Sequence, residues 1–135
     1  MRTTFSALLV VLAVAAATGP AVAHHAFAAE FDINKPITLK GTLAQLRWVN
    51  PHSWIYLDVK DAKSGKVTRW SIEFGGPNAL LRRGLRASDF PVGGVVEVQG
   101  YLAKSGEPVA NATSVRLPDG RDFFTASSAP NAPQN

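Results

Sequence analysis

Cysteine is absent from all 135 residues. That rules out disulfide staples, although an exported chain could use them, and any lipid anchor carried on a cysteine. Long apolar runs are missing as well. Phe5 to Ala17 is the longest, and Gly19-Pro20 breaks it short of the about 20 residues that a bilayer span needs. Charge of one sign is scarce: 14 Lys and Arg stand against 10 Asp and Glu, a net +4. So mild a bias favours anionic partners weakly and does not by itself argue for nucleic acid. There is no nucleophile motif, no phosphate loop, no carboxylate pair of defined spacing and no HExxH-type zinc sequence. The sequence therefore assigns no reaction, and whether the protein is an enzyme stays open, with a non-enzymatic role favoured.

What is present begins with an export signal over residues 1–23. Arg2 gives a short positive start, the apolar core follows, and Ala21-Val22-Ala23 is a small-x-small cleavage site. Cleavage there makes His24 the new N-terminus and places the mature chain in the periplasm or outside the cell. Residues 24–135 then carry 13 basic side chains against 10 acidic, a net +3. That length makes one domain, well above the about 40 residues below which folding without staples becomes difficult.

The apolar pattern divides this domain into strands. Residues 24–35 have little pattern and form an N-terminal extension, with Phe27 and Phe31 able to tack it down. The first strand runs from Ile37 to Val49. Its apolar parity switches midway, from Ile37, Leu39 and Leu43 to Leu46 and Trp48, which calls for a bulge near Ala44 and a bend at Gly41. His52 to Lys60 and Lys66 to Phe74 follow, joined by the Asp61–Gly65 hairpin loop. One face of this pair carries Ile55, Leu57, Ile72 and Phe74. The other carries Trp54, Tyr56, Arg69 and Glu73. Ala79 to Arg83 has good helix formers ahead of Gly84, a C-terminal cap. Val95 to Ala103 and Val109 to Leu117 are the last two strands. The expected fold is all-β: a small five-stranded OB-like barrel over residues 36–126, with one short helix between strands 3 and 4. Residues 127–135, rich in Ser, Ala, Pro, Gln and Asn, read as a disordered tail.

Four stretches resemble one known family. They are His24-His25-Ala26-Phe27-Ala28-Ala29-Glu30-Phe31-Asp32, Trp48 to Tyr56, Gly76 to Gly84, and Leu117-Pro118-Asp119-Gly120-Arg121. In this order they are similar to secreted bacterial proteins grouped as domain of unknown function 6152. The resemblance covers nearly all of the mature chain and implies an exported protein with a small β-barrel. It carries over no activity and no site. Ala26 departs from the family, where a small hydroxyl residue is more usual.

Three histidines can carry chemistry. His24, once terminal, offers its α-amine and its ring together. His25 adds a second ring. His52 lies in the loop between strands 1 and 2, which flanks the usual ligand site of an OB-fold. Three or four nitrogen donors in a tetragonal array suit Cu(II), so copper is the candidate cofactor, in an arrangement resembling a histidine brace. The plainer account is a frayed terminus, with His52 capping a strand. The rival from another class is an OB module that binds an envelope oligosaccharide or nucleic acid on Trp54, Tyr56 and Arg69, two aromatics beside a guanidinium. A third class, a small metalloenzyme on the same histidines, would need an open coordination position and a substrate groove.

Overall fold

The computed structural model describes residues 27–126. The leader, His24, His25 and the tail from residue 127 lie outside the described residues. Six strands are present: β1 (Phe31–Arg47), β2 (Trp54–Lys60), β3 (Val67–Glu73), β4 (Val95–Ala103), β5 (Val109–Arg116) and β6 (Asp122–Phe124). Helix α1 (Pro77–Arg82) and a 3-10 turn (Ala87–Asp89) lie between β3 and β4. Residues 27–30 form one helical turn ahead of β1.

The strands pair in the order β3-β2-β1-β4-β5-β6, and a further β3–β5 pairing joins the first five into a ring. Every neighbouring pair is antiparallel except β3–β5, which is parallel over Ser71–Glu73 and Val109–Asn111. β1 is long because it serves two partners. Its first half pairs with β4 and its second with β2. The register with β2 shifts between Leu43 and Gln45, so the bulge falls on Ala44, where the apolar parity changes. Gly41 lies at the crossing: a Cβ there would stand 2.7 Å from the Asp58 carbonyl oxygen.

The ring encloses the core. Leu39, Leu43, Ile55, Leu57, Ile72, Val96, Val98 and Val115 fill it, and Leu80, Leu85 and Phe90 close it from the α1 side. Pro77 suits the first turn of α1, where a missing N–H costs nothing. Gly84, at φ +85°, ends α1 as expected. The Leu85 N–H bonds the Leu80 carbonyl across it.

Three expectations need correction. The sheet has six strands, not five, because Phe123 and Phe124 pair with Val115 and Ser114 as a short sixth strand. At three residues, β6 is too short to leave a period in the sequence. The β3–β4 connection holds a 3-10 turn besides α1, closed by the Asp89 carboxylate accepting from the Arg86 N–H at 2.8 Å. And β1 starts at Phe31, inside the stretch assigned to the N-terminal extension. Phe31 pairs with Ala103, then the register slips before Pro36 pairs with Tyr101. The slip across polar Asp32 to Lys35 hides this start from a periodicity argument.

Candidate functional site

The β1–β2 loop, residues 48–53, is held at both ends. Trp48 packs on Phe90, with ring centroids 6.3 Å apart. Ser53 is fully buried and exchanges main-chain bonds with the end of β3: its N–H donates to Gly75 at 3.2 Å, and its carbonyl accepts from Phe74 at 2.7 Å. Gly76 lets the loop lie close, since a Cβ there would stand 2.6 Å from the Pro51 carbonyl oxygen. His52 is thereby set beside Glu73.

The two form an ion pair in which His52 Nδ1 faces Glu73 Oε1. The Glu73 side chain is 5% exposed and that of His52 is 38% exposed. A carboxylate can only accept, so Nδ1 carries the proton. Nε2 is then free to accept a hydrogen bond or to bind a metal whenever the ring is neutral. The hydrogen bond to Glu73 raises the His52 pKa above its ordinary value; burial opposes this, and the charges of Glu73 and Glu30 add to it.

Residues 27–31 lie over this loop as a strap. Phe27 and Phe31 stack at 5.6 Å, Phe27 meets Tyr101 edge-on at 5.8 Å, and both phenylalanines share a small core with Ala103 and Ala126. Lys104, in the β4–β5 loop, grips the strap twice. Its backbone N–H donates to the Glu30 carbonyl at 2.8 Å, and its ammonium donates to the Ala28 carbonyl.

Strap and loop enclose a cleft of about 410 Å³, lined by Phe27, Glu30 and Phe31 on one side and by Arg47, His52, Trp54 and Glu73 among others on the other. A second groove of about 390 Å³ shares Glu30, Phe31 and Trp54 and runs to the β4–β5 loop. Two carboxylates, an imidazole, a guanidinium and three aromatic rings thus meet in one space.

Of the expected site residues, His52 lies in this cleft, while His24 and His25 are outside the described residues. Trp54, Tyr56 and Arg69 share one face of the β2–β3 ladder. Trp54 pairs across the ladder with Glu73 at the cleft end of the hairpin, and Arg69 pairs with Asp58 near its tip. The Arg69 guanidinium is committed to Asp58 through two bonds of 2.8 Å. Trp54 and Tyr56 are half-buried. Among the described residues no group of three or more His, Cys, Asp or Glu side chains is placed to hold a metal ion. His52 alone of the expected ligands is within view.

Glu73 and Glu30 were not singled out from the sequence. Alternation put Glu73 on the solvent face with Arg69 and Ser71. The better signal is register. Lys60 pairs with Val67 across the hairpin loop, and counting back along both strands reaches His52 beside residues 73–75.

The raised His52 pKa fixes a sign. The pair stabilises the fold fully below the unfolded imidazole value of 6.5 and ceases to do so as pH rises through the higher folded value. Metal-free protein is therefore expected to lose melting temperature as pH rises from about 6.5 through the raised His52 value, and Glu73→Gln to flatten that slope. Parallel melting curves across pH for the two proteins would contradict the pairing.

A family model described as a family of unknown function, DUF6152, matches residues 11–112. The chain belongs to that family. No curated protein matches it.

Proposed function

We propose that this member of the DUF6152 family is an exported binding or accessory protein of the periplasm. It holds one metal ion, copper before others, on His52 and on the mature terminus, through the His24 amine and ring and the His25 ring. The supporting observation is that Phe27, three residues after His24, lines the same cleft as His52. Three residues of chain reach at most about 11 Å. A terminus created by cleavage after Ala23 therefore starts no more than that distance from Phe27, a residue of the cleft wall.

The His52–Glu73 pair supports the same reading. Metal-binding histidines commonly donate their second N–H to a carboxylate, which fixes the tautomer and makes the ligating nitrogen more basic. The ring order β1-β2-β3-β5-β4, with α1 between β3 and β4, favours an OB-like barrel. In that fold the loops bearing His52 and Lys104 flank the ligand site. No helix among the described residues is long and apolar enough to cross a membrane.

The decisive experiment is metal analysis of protein exported and processed by a bacterium from the full chain. The expected result is a mass beginning at His24 and one copper per chain. A chain still starting at Met1, or processed protein with no more copper than an unrelated exported control, would overturn the proposal.

A second reading, an oligosaccharide or nucleic-acid module, draws on Trp54 in the cleft wall but loses Arg69 to Asp58. For it, Trp54→Ala should weaken binding of a glycan or single strand by about 1–3 kcal/mol and leave copper content unchanged.

A further inference from the structure

We propose that the cleft under the strap binds a zwitterion, an amino acid or short peptide. Glu30 holds its ammonium, Arg47 holds its carboxylate, and its apolar side chain lies in the adjoining groove. This goes beyond the metal reading and draws only on residues 27–126.

One strand places both charges. Glu30 immediately precedes β1 and Arg47 ends it. β1 is 17 residues long, about 56 Å if it ran straight. The ring bends it, because its first half follows β4 and its second follows β2. Its two ends thereby come to line one cleft. Neither end is loose. Lys104 holds the strap at the Glu30 and Ala28 carbonyls, and Arg47 pairs with Trp54 across the β1–β2 ladder.

Neither charge is answered among the described residues. Glu30 and Arg47 are exposed, and they form no ion pair with each other or with any other described residue. The other two ionisable groups of the cleft differ, since Glu73 and His52 are paired with each other. An unpartnered charge on an open surface is ordinary, because water solvates it. Here two charges of opposite sign line one cleft without meeting. The Glu30 charge also reaches the His52 ring across that space. A purely anionic ligand would satisfy Arg47 and leave Glu30 opposing it; a purely cationic one would do the reverse. A ligand with both charges satisfies both, through hydrogen bonds that charge makes shorter and stronger.

The second groove sets the rest of the ligand. It opens from the same Glu30, Phe31 and Trp54 and continues along Ala29, Ala103 and Val109 toward the β4–β5 loop. The ammonium of Lys104, in that loop, is engaged with the Ala28 carbonyl. A hydrocarbon or aromatic side chain leaves water there, while the ammonium and carboxylate stay in the first cleft. At about 410 Å³, that cleft is of the size that small organic ligands occupy.

The test uses exported, processed protein in excess chelator, so that its outcome and that of the copper analysis are independent. Calorimetry reads the binding of probes that share one phenyl group. Phenylalanine and the dipeptide glycylphenylalanine carry both charges, phenylpropionate only the carboxylate, and phenethylamine only the ammonium. At least one zwitterion is expected to bind, about tenfold or more tightly than either single-charge probe. Which of the two binds better tells amino acid from peptide. Arg47→Gln and Glu30→Gln should each weaken that binding about tenfold with the melting temperature unchanged. Arg47→Gln should also abolish the preference for the zwitterion over phenethylamine. Lys60→Gln, at the far end of β2, should change nothing. No binding of either zwitterion at millimolar concentration, equal binding of the single-charge probes, or unchanged affinity in both cleft variants would overturn the proposal.

Discussion

Mature protein acetylated selectively at the His24 amine is expected to bind Cu(II) on the order of a hundredfold more weakly than the native mature form, about 2.8 kcal/mol. Acetylation leaves every side chain in place. It removes the free terminal amine, whose lone pair becomes delocalised into the new carbonyl. Affinity of the native form should fall as pH drops through the imidazole range, which for His52 lies above the ordinary value of about 6.5, and protons should already compete for the amine from near 8. Calorimetric titration of both forms, each with its terminus fixed by mass, reads the difference. Equal affinity would remove the reason for placing the site at the terminus.

Ile72→Ala is expected to cost 2–5 kcal/mol, read by denaturant unfolding. The upper part of that range is the closer estimate, for a structural reason. Ile72 is fully buried and sits where β3 has a partner on each side, Ile55 of β2 and Ala110 of β5. A cavity is least costly where neighbours can move in. Ala110 and Ala112 of β5 are buried and have no side chain to extend, and strands paired on both edges cannot shift without losing ladder bonds. A cost below about 1 kcal/mol would mean that the ring closes less firmly than its pairing indicates.

Much of this was legible in the sequence. The Ala44 bulge was, because a parity switch in a long apolar strand has few other remedies. So was the C-terminal cap at Gly84, because few residues adopt positive φ at a helix end. Leu39, Leu57 and Ile72 lie on the apolar faces that alternation picks out, and all three are buried. The failures come from closure. Alternation assigns one face of a strand to solvent, but where β3 meets β5 the ring and the adjoining loop cover both faces, and Glu73, nominally outward, is 4% exposed. For Trp54 the sequence leaves two outcomes, an open platform beside Arg69 or cover by the segment bearing Phe27 and Phe31, and Phe31 borders the same cleft as Trp54. Periodicity reports which way a side chain points, and it is silent about what later arrives on that side. His52 was found by residue type and loop position, and its partner needed the register.

The strap also governs when the fold can be completed. Phe27 and Phe31 pack with Tyr101, Ala103 and Ala126, so a contact at the start of the domain waits for residues synthesised about a hundred positions later. β1, the first strand made, finds half its hydrogen-bond partners in β4. Such long sequence separations make folding slow, because the chain must close large loops before any contact repays the lost entropy. An N-terminal portion emerging alone therefore has no stable structure to settle into. For a chain threaded through a membrane channel, as the proposed export requires, late closure keeps the polypeptide extended until its end has passed.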